Sequence, residues 1–256
     1  MATGLFDLTG KCAIVTGGSR GIGKAIAHRL AEHGAMVIIA SRDGASCAAA
    51  SSEIDALVGR AATRVHPVDM ENADDLAALS DYADREFGGA DILVCNAAAS
   101  FHNGPLAEID DAAFLRTFQF NVLANNRLAA FAAPKMAERG GGSIIIVSSI
   151  GAMRANPMNG AYSISKAADL ALVRALALEL GEAKIRVNAI LPGLVRTDLS
   201  RSLWEDAEAE AAYVAKLRIK RIGEPDDLAG IAVYLASPAS QWTTGQSFIV
   251  DGGALS

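Results

Sequence analysis

Short apolar runs alternate with longer Ala-rich amphipathic runs along most of the chain. The apolar runs are nearly continuous instead of alternating with polar residues, which is typical of strands that helices cover on both faces. The pattern therefore predicts seven buried strands. They are Cys12–Thr16, Met36–Ala40, Ala62–Val68, Ile92–Cys95, Ser143–Ser148, Arg186–Ile190 and Ser247–Val250.

The segments between these strands carry helix signals. We expect one helix after the glycine-rich loop at 17–23, one after Asn72, whose side chain can cap it, and one near Pro225. Long Ala-rich patterns predict two more, over Asp110–Arg139 and Ala161–Gly181. This order predicts a doubly wound, Rossmann-type α/β fold, with a mostly parallel seven-stranded sheet and helices on both faces.

The pattern shows no linker and no repeat, so we expect a single domain over residues 1–256. One stretch, Leu194–Leu217, interrupts the alternation after the sixth strand. Ligands of open α/β sheets bind beyond the carboxyl ends of the strands, so this stretch is predicted to be a substrate lid. Leu203 and Trp204 would cover an apolar substrate. The alternative is that Trp204 packs permanently on the body of the protein.

Composition narrows the function classes. The chain has 256 residues and a net charge of −6 with no Lys/Arg block, which argues against nucleic-acid and membrane partners. No apolar run approaches the roughly 18 residues of a membrane span, and the N-terminus has no signal-peptide pattern. Cys12, Cys47 and Cys95 are widely spaced, which favours reduced thiols over disulfides or a metal site. We therefore expect a cytoplasmic enzyme without a metal.

The first strand opens into the loop Thr16–Gly23, whose glycines follow the spacing G-x-x-x-G-x-G. Glycines allow a phosphate to approach the backbone, and the N-terminus of the following helix presents free N–H groups. Alone, such a loop also fits a simple helix-capping turn. The loop residues expected to bind a dinucleotide are Gly17, Ser19, Arg20, Gly21, Ile22 and Gly23.

Small and polar residues follow three other predicted strands. Because the carboxyl ends of parallel strands meet at one edge of a sheet, a dinucleotide lying there would contact them. Each of these residues alone is more often a turn residue than a ligand, so the interpretation depends on the whole set. The set consists of Asp69, Asn96, Ala97, Pro192, Gly193, Val195 and Thr197.

The end of the second strand bears on which dinucleotide is bound. An NAD site places an acidic residue there, about twenty residues beyond the glycines. Counting from Gly23, that position is near Ser41, which is neutral and is followed by Arg42. Arg20 and Arg42 suit a 2′-phosphate, so we expect NADP(H) in preference to NAD(H). If the strand ran further, Asp43 would favour NAD(H); the two arginines could also be ordinary surface charges.

A second group of residues points to proton transfer. Ser149 follows the fifth strand, and Tyr162 and Lys166 lie four positions apart, on one face of the next helix. An ammonium near a phenol favours the phenolate and lowers a pKa that is about 10 in isolation. Such a group can serve as a general acid or base, and Ser149 could bind the substrate oxygen. Y-x-x-x-K alone is common and also fits a surface pair.

Together these motifs resemble the short-chain dehydrogenase/reductase family over roughly Leu5–Gly253. The resemblance covers the T-G-x-x-x-G-I-G loop, the Pro-Gly-x-x-x-Thr motif after the sixth strand and the four catalytic positions. It implies that Tyr162 donates a proton to a carbonyl oxygen, that Ser149 binds this oxygen and that Lys166 binds the nicotinamide ribose and tunes the tyrosine. It also implies that Asn121 anchors a relay water and that Thr197 meets the amide or phosphate region of the cofactor.

One family motif differs in this chain. The family has N-N-A-G after the fourth strand, whereas this chain has Cys95-Asn96-Ala97-Ala98. The loop remains expected near the adenosine ribose. The segments 199–204 and 217–225 resemble a narrower group, the NADPH-dependent carbonyl and retinal reductases of the dehydrogenase/reductase member 4 type. The Asn96-Ala97-Ala98 variant fits that group as well.

Three functions remain open at this point. The first is an oxidoreductase that transfers a hydride between NADP(H) and a carbonyl or secondary-alcohol substrate, with Tyr162 as general acid/base. The second is a 3-oxoacyl-thioester reductase, for which a basic rim would bind an acyl carrier. That rim would consist of Arg196, Arg201, Lys216, Arg218, Lys220 and Arg221. The third is a cofactor-sensing binding protein without catalysis, which the intact set of four catalytic positions disfavours.

The resemblance also implies an assembly. Family members pair through the helices predicted at Asp110–Arg139 and Ala161–Gly181, and Asp251–Gly253 lies near a second interface. The alternative is that these helix faces only pack on the sheet. We therefore expect a homotetramer.

Overall fold

A computed structural model describes residues 4–154 and 157–256, so Met1, Ala2 and Thr3 of the N-terminal segment lie outside the described residues. Its centre is a parallel seven-stranded sheet in the order β3-β2-β1-β4-β5-β6-β7, which confirms the predicted fold class. The strands are β1 (Cys12–Thr16), β2 (Met36–Ser41), β3 (Thr63–Pro67), β4 (Ile92–Cys95), β5 (Gly142–Val147), β6 (Ile185–Pro192) and β7 (Ser247–Val250).

Helices cover both faces of this sheet. They are α1 (Gly21–Glu32), α2 (Gly44–Val58), α3 (Ala73–Phe87), α4 (Asp111–Phe118), α5 (Ala124–Glu138), α6 (Gly160–Leu180), α7 (Ala207–Val214) and α8 (Ala229–Ala236). In β1, Ile14 joins the core formed with α3, α5 and α6, whereas Val15 joins the core formed with α1, α2 and α8. Successive side chains of a strand point to opposite faces, so both faces must be apolar.

The bounds of four strands differ from the sequence prediction, and those of β3 and β5 differ by one residue at each end. β2 extends one residue further, to Ser41, and β6 extends to Pro192, where it still pairs with β7. The helix α2 was not predicted. Its buried face consists of Cys47, Ala50 and Ile54, and the Ala and Ser residues around the rest of the helix give little contrast between an apolar and a polar face.

The helix predicted over Asp110–Arg139 is divided by a wider turn. Between α4 and α5 lies a π-helical turn over Gln119–Leu123, in which the N–H of Ala124 donates to the carbonyl of Gln119, five residues earlier. π-turns of this kind occur mostly as single insertions in α-helices and often at functional sites. Asn121, one of the predicted catalytic residues, lies in this turn.

The predicted lid segment contains a 3₁₀ turn over Asp198–Leu203 and the short helix α7. Its two ends are anchored by the buried side chains of Val195 and Leu217. Trp204 is half-buried, and its indole Nε1 donates to the Ser200 hydroxyl over 3.1 Å. Across the part of the chain that the structure describes, none of the helices combines the length and the apolar character needed to span a bilayer.

Candidate active site

The strand order reverses between β1 and β4, because the chain leaves β1 toward β2 and β3 and returns to pair β4 on its other side. Such a reversal opens a crevice at the carboxyl edge of a parallel sheet. The glycine loop follows β1 into this crevice, and the residues after β4, β5 and β6 border it. The predicted site residues therefore come from neighbouring strands.

The glycine loop leaves room for an anion. Gly17 and Gly21 have φ values of +63° and +54°, in the left-handed region that favours glycine. A Cβ on Gly23 would lie 2.3 Å from the Gly17 carbonyl oxygen, so only glycine fits there. α1 begins at Gly21, its first turn includes the half-buried Ile22, and no side chain at Arg20 caps it. The first N–H groups of the helix are thus suited to a phosphate, and the loop fits a dinucleotide.

Asn96 shapes this loop from the neighbouring strand. Its side-chain amide donates to the carbonyl oxygens of Thr16, over 3.0 Å, and Gly17, over 3.2 Å. In return, the Thr16 hydroxyl accepts from the backbone N–H groups of Asn96 and Ala97, over 3.0 and 3.1 Å. The two motif positions that differ from the family pattern, Cys95 and Ala98, provide none of these side-chain bonds.

The position at which β2 ends distinguishes between Ser41 and Asp43, the two candidates for the residue at the adenosine ribose. β2 ends at Ser41, whose hydroxyl accepts from Ser19 over 3.3 Å. The Asp43 carboxylate instead caps α2, where it accepts from the Ser46 hydroxyl and from the Ala45 N–H. These bonds, with Ser46 foremost, lower the pKa of Asp43 below its ordinary value. Asp43 is therefore engaged in a helix cap.

The two arginines near this position are accessible. Arg42 is exposed, and the Arg20 side chain is 76% exposed with its Nη1 3.1 Å from a carboxylate oxygen of Asp198. An exposed pair of this kind contributes little to stability, so the Arg20 guanidinium is free to turn toward another anion.

Asp69 follows β3 by two residues and is half-buried. Its carboxylate accepts from the N–H of Glu71 over 3.0 Å, and its own N–H donates to the Asp75 carboxylate in the first turn of α3. These bonds fix the turn after β3 at the same edge of the sheet as the glycine loop.

The end of β6 reaches the glycine loop. A Cβ on Gly21 would lie 3.2 Å from the Cγ2 of Thr197, so this threonine borders the start of α1. The Thr197 hydroxyl lies 3.1 Å from that of Ser200 and caps the 3₁₀ turn that follows. Before it, Pro192 and Gly193 end the strand, and a Cβ on Gly193 would lie 2.7 Å from the Cα of Asp251.

Lys166 and Tyr162 lie together in the first turns of α6. The Lys166 side chain is 1% exposed, and its Nζ lies 5.7 Å from the centre of the half-buried Tyr162 ring. The ammonium donates to the Val147 carbonyl over 3.0 Å and to the Asp169 carboxylate over 3.1 Å. The half-buried Ser149 follows β5 and accepts from the Gly151 N–H over 3.0 Å.

The charges of this group are coupled. Burial lowers the pKa of Lys166, but the attraction of Asp169 and Tyr162 outweighs it, and the pKa lies above its ordinary value. Lys166 is therefore an ammonium at neutral pH. Burial raises the pKa of Asp169, and Lys166 opposes this in part. The sequence analysis missed Asp169, although an acidic residue within the apolar pattern of a helix, three positions after a candidate lysine, is a signal that could have found it.

Asn121 connects the π-turn to the loop after β4. Its side chain accepts from the N–H of Ala99 and donates to the carbonyl of Ala99, both over 2.9 Å, and it donates to the Ser165 hydroxyl on α6. The backbone carbonyl of Asn121 accepts from the Asn125 amide over 2.6 Å.

Two segments that the sequence analysis did not single out enclose the site. The N–H of Gly104 donates to the Met158 carbonyl over 2.9 Å, and the Ser100 hydroxyl donates to the Asn159 side chain over 2.8 Å. The loop after β4 is thus joined to the segment that precedes α6 and Tyr162. Phe101, in the same loop, lies under the Arg116 guanidinium at 4.2 Å. A substrate approaching Tyr162 would pass this rim.

Three arginines of the suggested basic rim bind carboxylates of the chain itself. Arg196 pairs with Glu210, Arg201 with Asp198 and Arg221 with Asp227. Each of these guanidiniums thus has a carboxylate of the chain itself as its neighbour, as Arg20 does.

Comparisons with known proteins agree with this geometry. A family model described as enoyl-(acyl carrier protein) reductase matches residues 17–254. A bovine (Bos taurus) protein named dehydrogenase/reductase SDR family member 4 is 42% identical over 250 residues, which cover 97% of this chain and 88% of that protein.

Two solved structures superpose closely. A 7α-hydroxysteroid dehydrogenase in complex with NADH and 7-oxo glycochenodeoxycholic acid has a TM-score of 0.92 at 37% identity, covering 97% of this chain and 96% of that one. A gluconate 5-dehydrogenase from Burkholderia cenocepacia J2315 in complex with NADP and tartrate has a TM-score of 0.93 at 30% identity, covering 100% and 99%. Since one complex contains NADH and the other NADP, these relatives do not decide between the two cofactors.

Proposed function

Because the chain belongs to the short-chain dehydrogenase/reductase family, we propose that it is an NADP(H)-dependent carbonyl reductase or secondary-alcohol dehydrogenase with Tyr162 as general acid/base. The resemblance to the member 4 group is confirmed, and the oxidoreductase class with it. The observation that carries the proposal is the buried Lys166 ammonium, which lies 5.7 Å from the centre of the Tyr162 ring.

When bound, the nicotinamide supplies or accepts the hydride. In reduction, the carbonyl carbon gains the hydride, while the carbonyl oxygen gains the phenolic proton of Tyr162. Ser149 donates a hydrogen bond to the same oxygen and orients it. Lys166 binds the ribose hydroxyls and stabilises the phenolate that remains, and Asn121 fixes the loop beside the reacting group and anchors the relay water. In oxidation the same steps run in reverse.

The proposed cofactor site follows the carboxyl edge of the sheet. The free N–H groups at the start of α1 would bind the pyrophosphate, and the carboxyl ends of β3, β4 and β6 would bind the rest of the dinucleotide. Its residues are Gly17, Ser19, Arg20, Gly21, Ile22, Gly23, Ser41, Arg42, Asp69, Asn96, Ala97, Tyr162, Lys166, Pro192, Gly193, Val195 and Thr197.

The preference for NADP(H) is supported by three features of the described residues. β2 ends at the neutral Ser41, Asp43 is engaged in capping α2, and the accessible guanidiniums of Arg20 and Arg42 can bind a 2′-phosphate. An acidic residue at the strand end would repel that phosphate, and Asp43 lies past the strand in a helix cap.

We further propose that residues 194–217 form a lid within a single domain of 1–256. The ends of this segment are anchored by Val195 and Leu217, whereas Leu199 and Leu203 between them are exposed. Exposed apolar side chains beside an active site suit an apolar part of a substrate.

The assembly and compartment are proposed on similar grounds. Exposed apolar side chains on α4, on the π-turn, on α5 and on α6, and a second group near β7, support a homotetramer. They are Leu115, Leu123, Phe131, Leu178, Trp242 and Ile249. The three free, buried cysteines support a reducing, cytoplasmic compartment.

The experiment that tests the proposed function is an absorbance assay of NADPH and NADH consumption against ketones, aldehydes, diketones and 3-oxoacyl thioesters. The proposal expects turnover with ketones or aldehydes and NADPH, and the reverse reaction with the corresponding alcohols. Turnover confined to 3-oxoacyl thioesters would instead favour the acyl-thioester reductase. Cofactor binding without turnover of any compound would favour a binding protein.

A further inference from the structure

A buried carboxylate lies behind the proposed catalytic lysine. Asp169 is 0% exposed on α6, and its Oδ2 accepts from the Lys166 ammonium over 3.1 Å. A charge removed from water in this way costs folding free energy unless it is paired and hydrogen-bonded. None of the reaction steps proposed above uses the carboxylate of Asp169. Its burial beside Lys166 therefore indicates a further role.

The second oxygen of Asp169 is also contacted. Its Oδ1 lies 3.4 Å from the side-chain nitrogen of Asn125 on α5, and that same nitrogen donates to the Asn121 carbonyl over 2.6 Å. The orientation of the Asn125 amide follows from these neighbours, because a flipped amide would direct its oxygen at two other oxygens. A continuous side-chain network thus runs from the π-turn to Lys166.

This network fixes the direction of the ammonium. Lys166 has three N–H groups, of which one donates to the Val147 carbonyl and one to Asp169. One N–H remains for the cofactor side of the site. The buried carboxylate therefore determines both where the ammonium points and how much of its positive charge acts on Tyr162.

We infer that Asp169 is the internal counter-ion of Lys166, a positioning residue that Asn125 supports and that offsets the effect of the ammonium on the Tyr162 phenol. The inference rests on the proposed function. With the counter-ion present, less of the positive charge of Lys166 acts on the Tyr162 hydroxyl than the ammonium alone would exert. The site is thereby suited to donate a proton, which is the direction of carbonyl reduction.

The other groups around the pair do not replace this role. On α6 the titratable neighbour is Tyr162 itself, and on β4 it is the fully buried Cys95, whose pKa burial raises far above its ordinary value. Cys95 is thus a neutral thiol at working pH. The contact from α5 is the neutral Asn125 amide, and the contact from β5 is the Val147 carbonyl.

The test is the pH dependence of the alcohol-oxidation kcat/KM in Asp169→Asn. Without the carboxylate, the charge of the Lys166 ammonium acts on the phenol with no counter-ion to offset it, and the acid limb of the profile moves to lower pH by about 0.5–1 unit. A move to higher pH would overturn the inference, because it would show that the ammonium is lost with Asp169. Asp81→Asn, the same change on the exposed face of α3, is the matched control and keeps the wild-type profile. If kcat/KM of Asp169→Asn fell while the acid limb stayed at the same pH, the inference would be overturned, because that result indicates a merely structural role.

A stability cycle tests the pair independently of activity. Lys166→Met and Asp169→Leu each leave one buried partner uncompensated, so each lowers the melting temperature. The double variant removes both charges and recovers most of the loss. The cycle can be measured even if Asp169→Asn does not fold. If the loss in melting temperature of the double variant equalled the sum of the two single losses, the counter-ion role would be overturned. An inactive wild-type enzyme with a coupled cycle would refute the proposed function alone.

Discussion

Asp91 and Arg139 form a two-point salt bridge, with the carboxylate oxygens 2.7 and 3.3 Å from Nη2 and Nε of the guanidinium. Asp91 directly precedes β4, at the edge of the sheet opposite the active site, and it also accepts from the Cys12 N–H and the Lys11 ammonium. Burial alone would raise the pKa of Asp91, but these partners, with Arg139 foremost, hold it below its ordinary value. The carboxylate joins β1, β4 and the residue after α5.

Asp91→Asn should therefore destabilise the fold without changing the chemistry. The expected loss at pH 7 is about 1.5–3 kcal/mol of unfolding free energy, the usual range for hydrogen bonds to a charged group. A carboxylate whose pKa is lowered by folding stabilises the folded state above about pH 3.9, the pKa in the unfolded chain. This stabilisation is lost as the pH falls through the folded-state pKa. Denaturant titrations should thus show a large difference between wild type and variant at pH 7 that shrinks below pH ~4. A difference independent of pH would contradict this assignment.

Tyr162→Phe should reduce kcat by roughly 10²–10⁴-fold, because the phenolic hydroxyl is the proposed proton donor. Binding of NADPH, followed by fluorescence, should remain close to wild type. Tyr82→Phe removes a hydroxyl from α3, where the ring stacks on His66, and serves as the control. A Tyr162→Phe enzyme that kept more than about a tenth of the wild-type rate would exclude the assigned role, since that loss lies below the usual range.

Replacing Arg20 and Arg42 by alanine should raise the KM for NADPH far more than the KM for NADH. Each lost charge-assisted bond to the 2′-phosphate weakens binding by about tenfold or more. Arg85→Ala, at the end of α3, changes the same charge elsewhere on the surface and should leave the ratio unchanged. Wild-type enzyme with an equal or higher kcat/KM for NADH would show that the arginines do not select the cofactor.

Trp204→Ala should raise the KM for bulky aromatic ketones by roughly tenfold, because the variant lacks the indole that is proposed to contact an apolar substrate. The ring lies under the Arg196 guanidinium at 5.2 Å, and its Nε1 donates to the Ser200 hydroxyl. The indole would therefore move together with the 3₁₀ turn of the lid. Leu57→Ala, an exposed position on α2, is the control. An unchanged KM for these ketones would show that Trp204 packs on the protein body alone.

Light scattering at micromolar concentration should give the mass of a tetramer. Trp242→Arg should shift this mass to smaller species, because the fully exposed indole belongs to the apolar group near β7. Arg64→Ala changes a partly buried surface position of β3 and should leave the mass unchanged. A monomer in the wild-type measurement would reject the assembly.

The sheet was predictable from the sequence because a parallel strand covered on both faces needs a continuous apolar run, and such runs stand out in the chain. The spacing of Tyr162 and Lys166 predicted that they share one face of a helix, and the Lys166 ammonium lies 5.7 Å from the centre of the Tyr162 ring. Asp169 could have been found from the apolar residues around it on its helix. Asn125 could not, because an isolated polar residue within a helical pattern reveals its burial only once the neighbouring helix is placed beside it. The same holds for Asp43, whose role depends on where β2 stops and α2 starts.

The π-turn over Gln119–Leu123 makes the chain length between α4 and α5 part of the site. Its extra residue allows Asn121 to reach the loop after β4, while Asn125, one turn later, still reaches α6. Deleting a single residue there would restore a regular helix and rotate one asparagine relative to the other by about 100°. A homologue that lacks this one position cannot be expected to keep both asparagines in these contacts, even if every side chain named above is conserved in it.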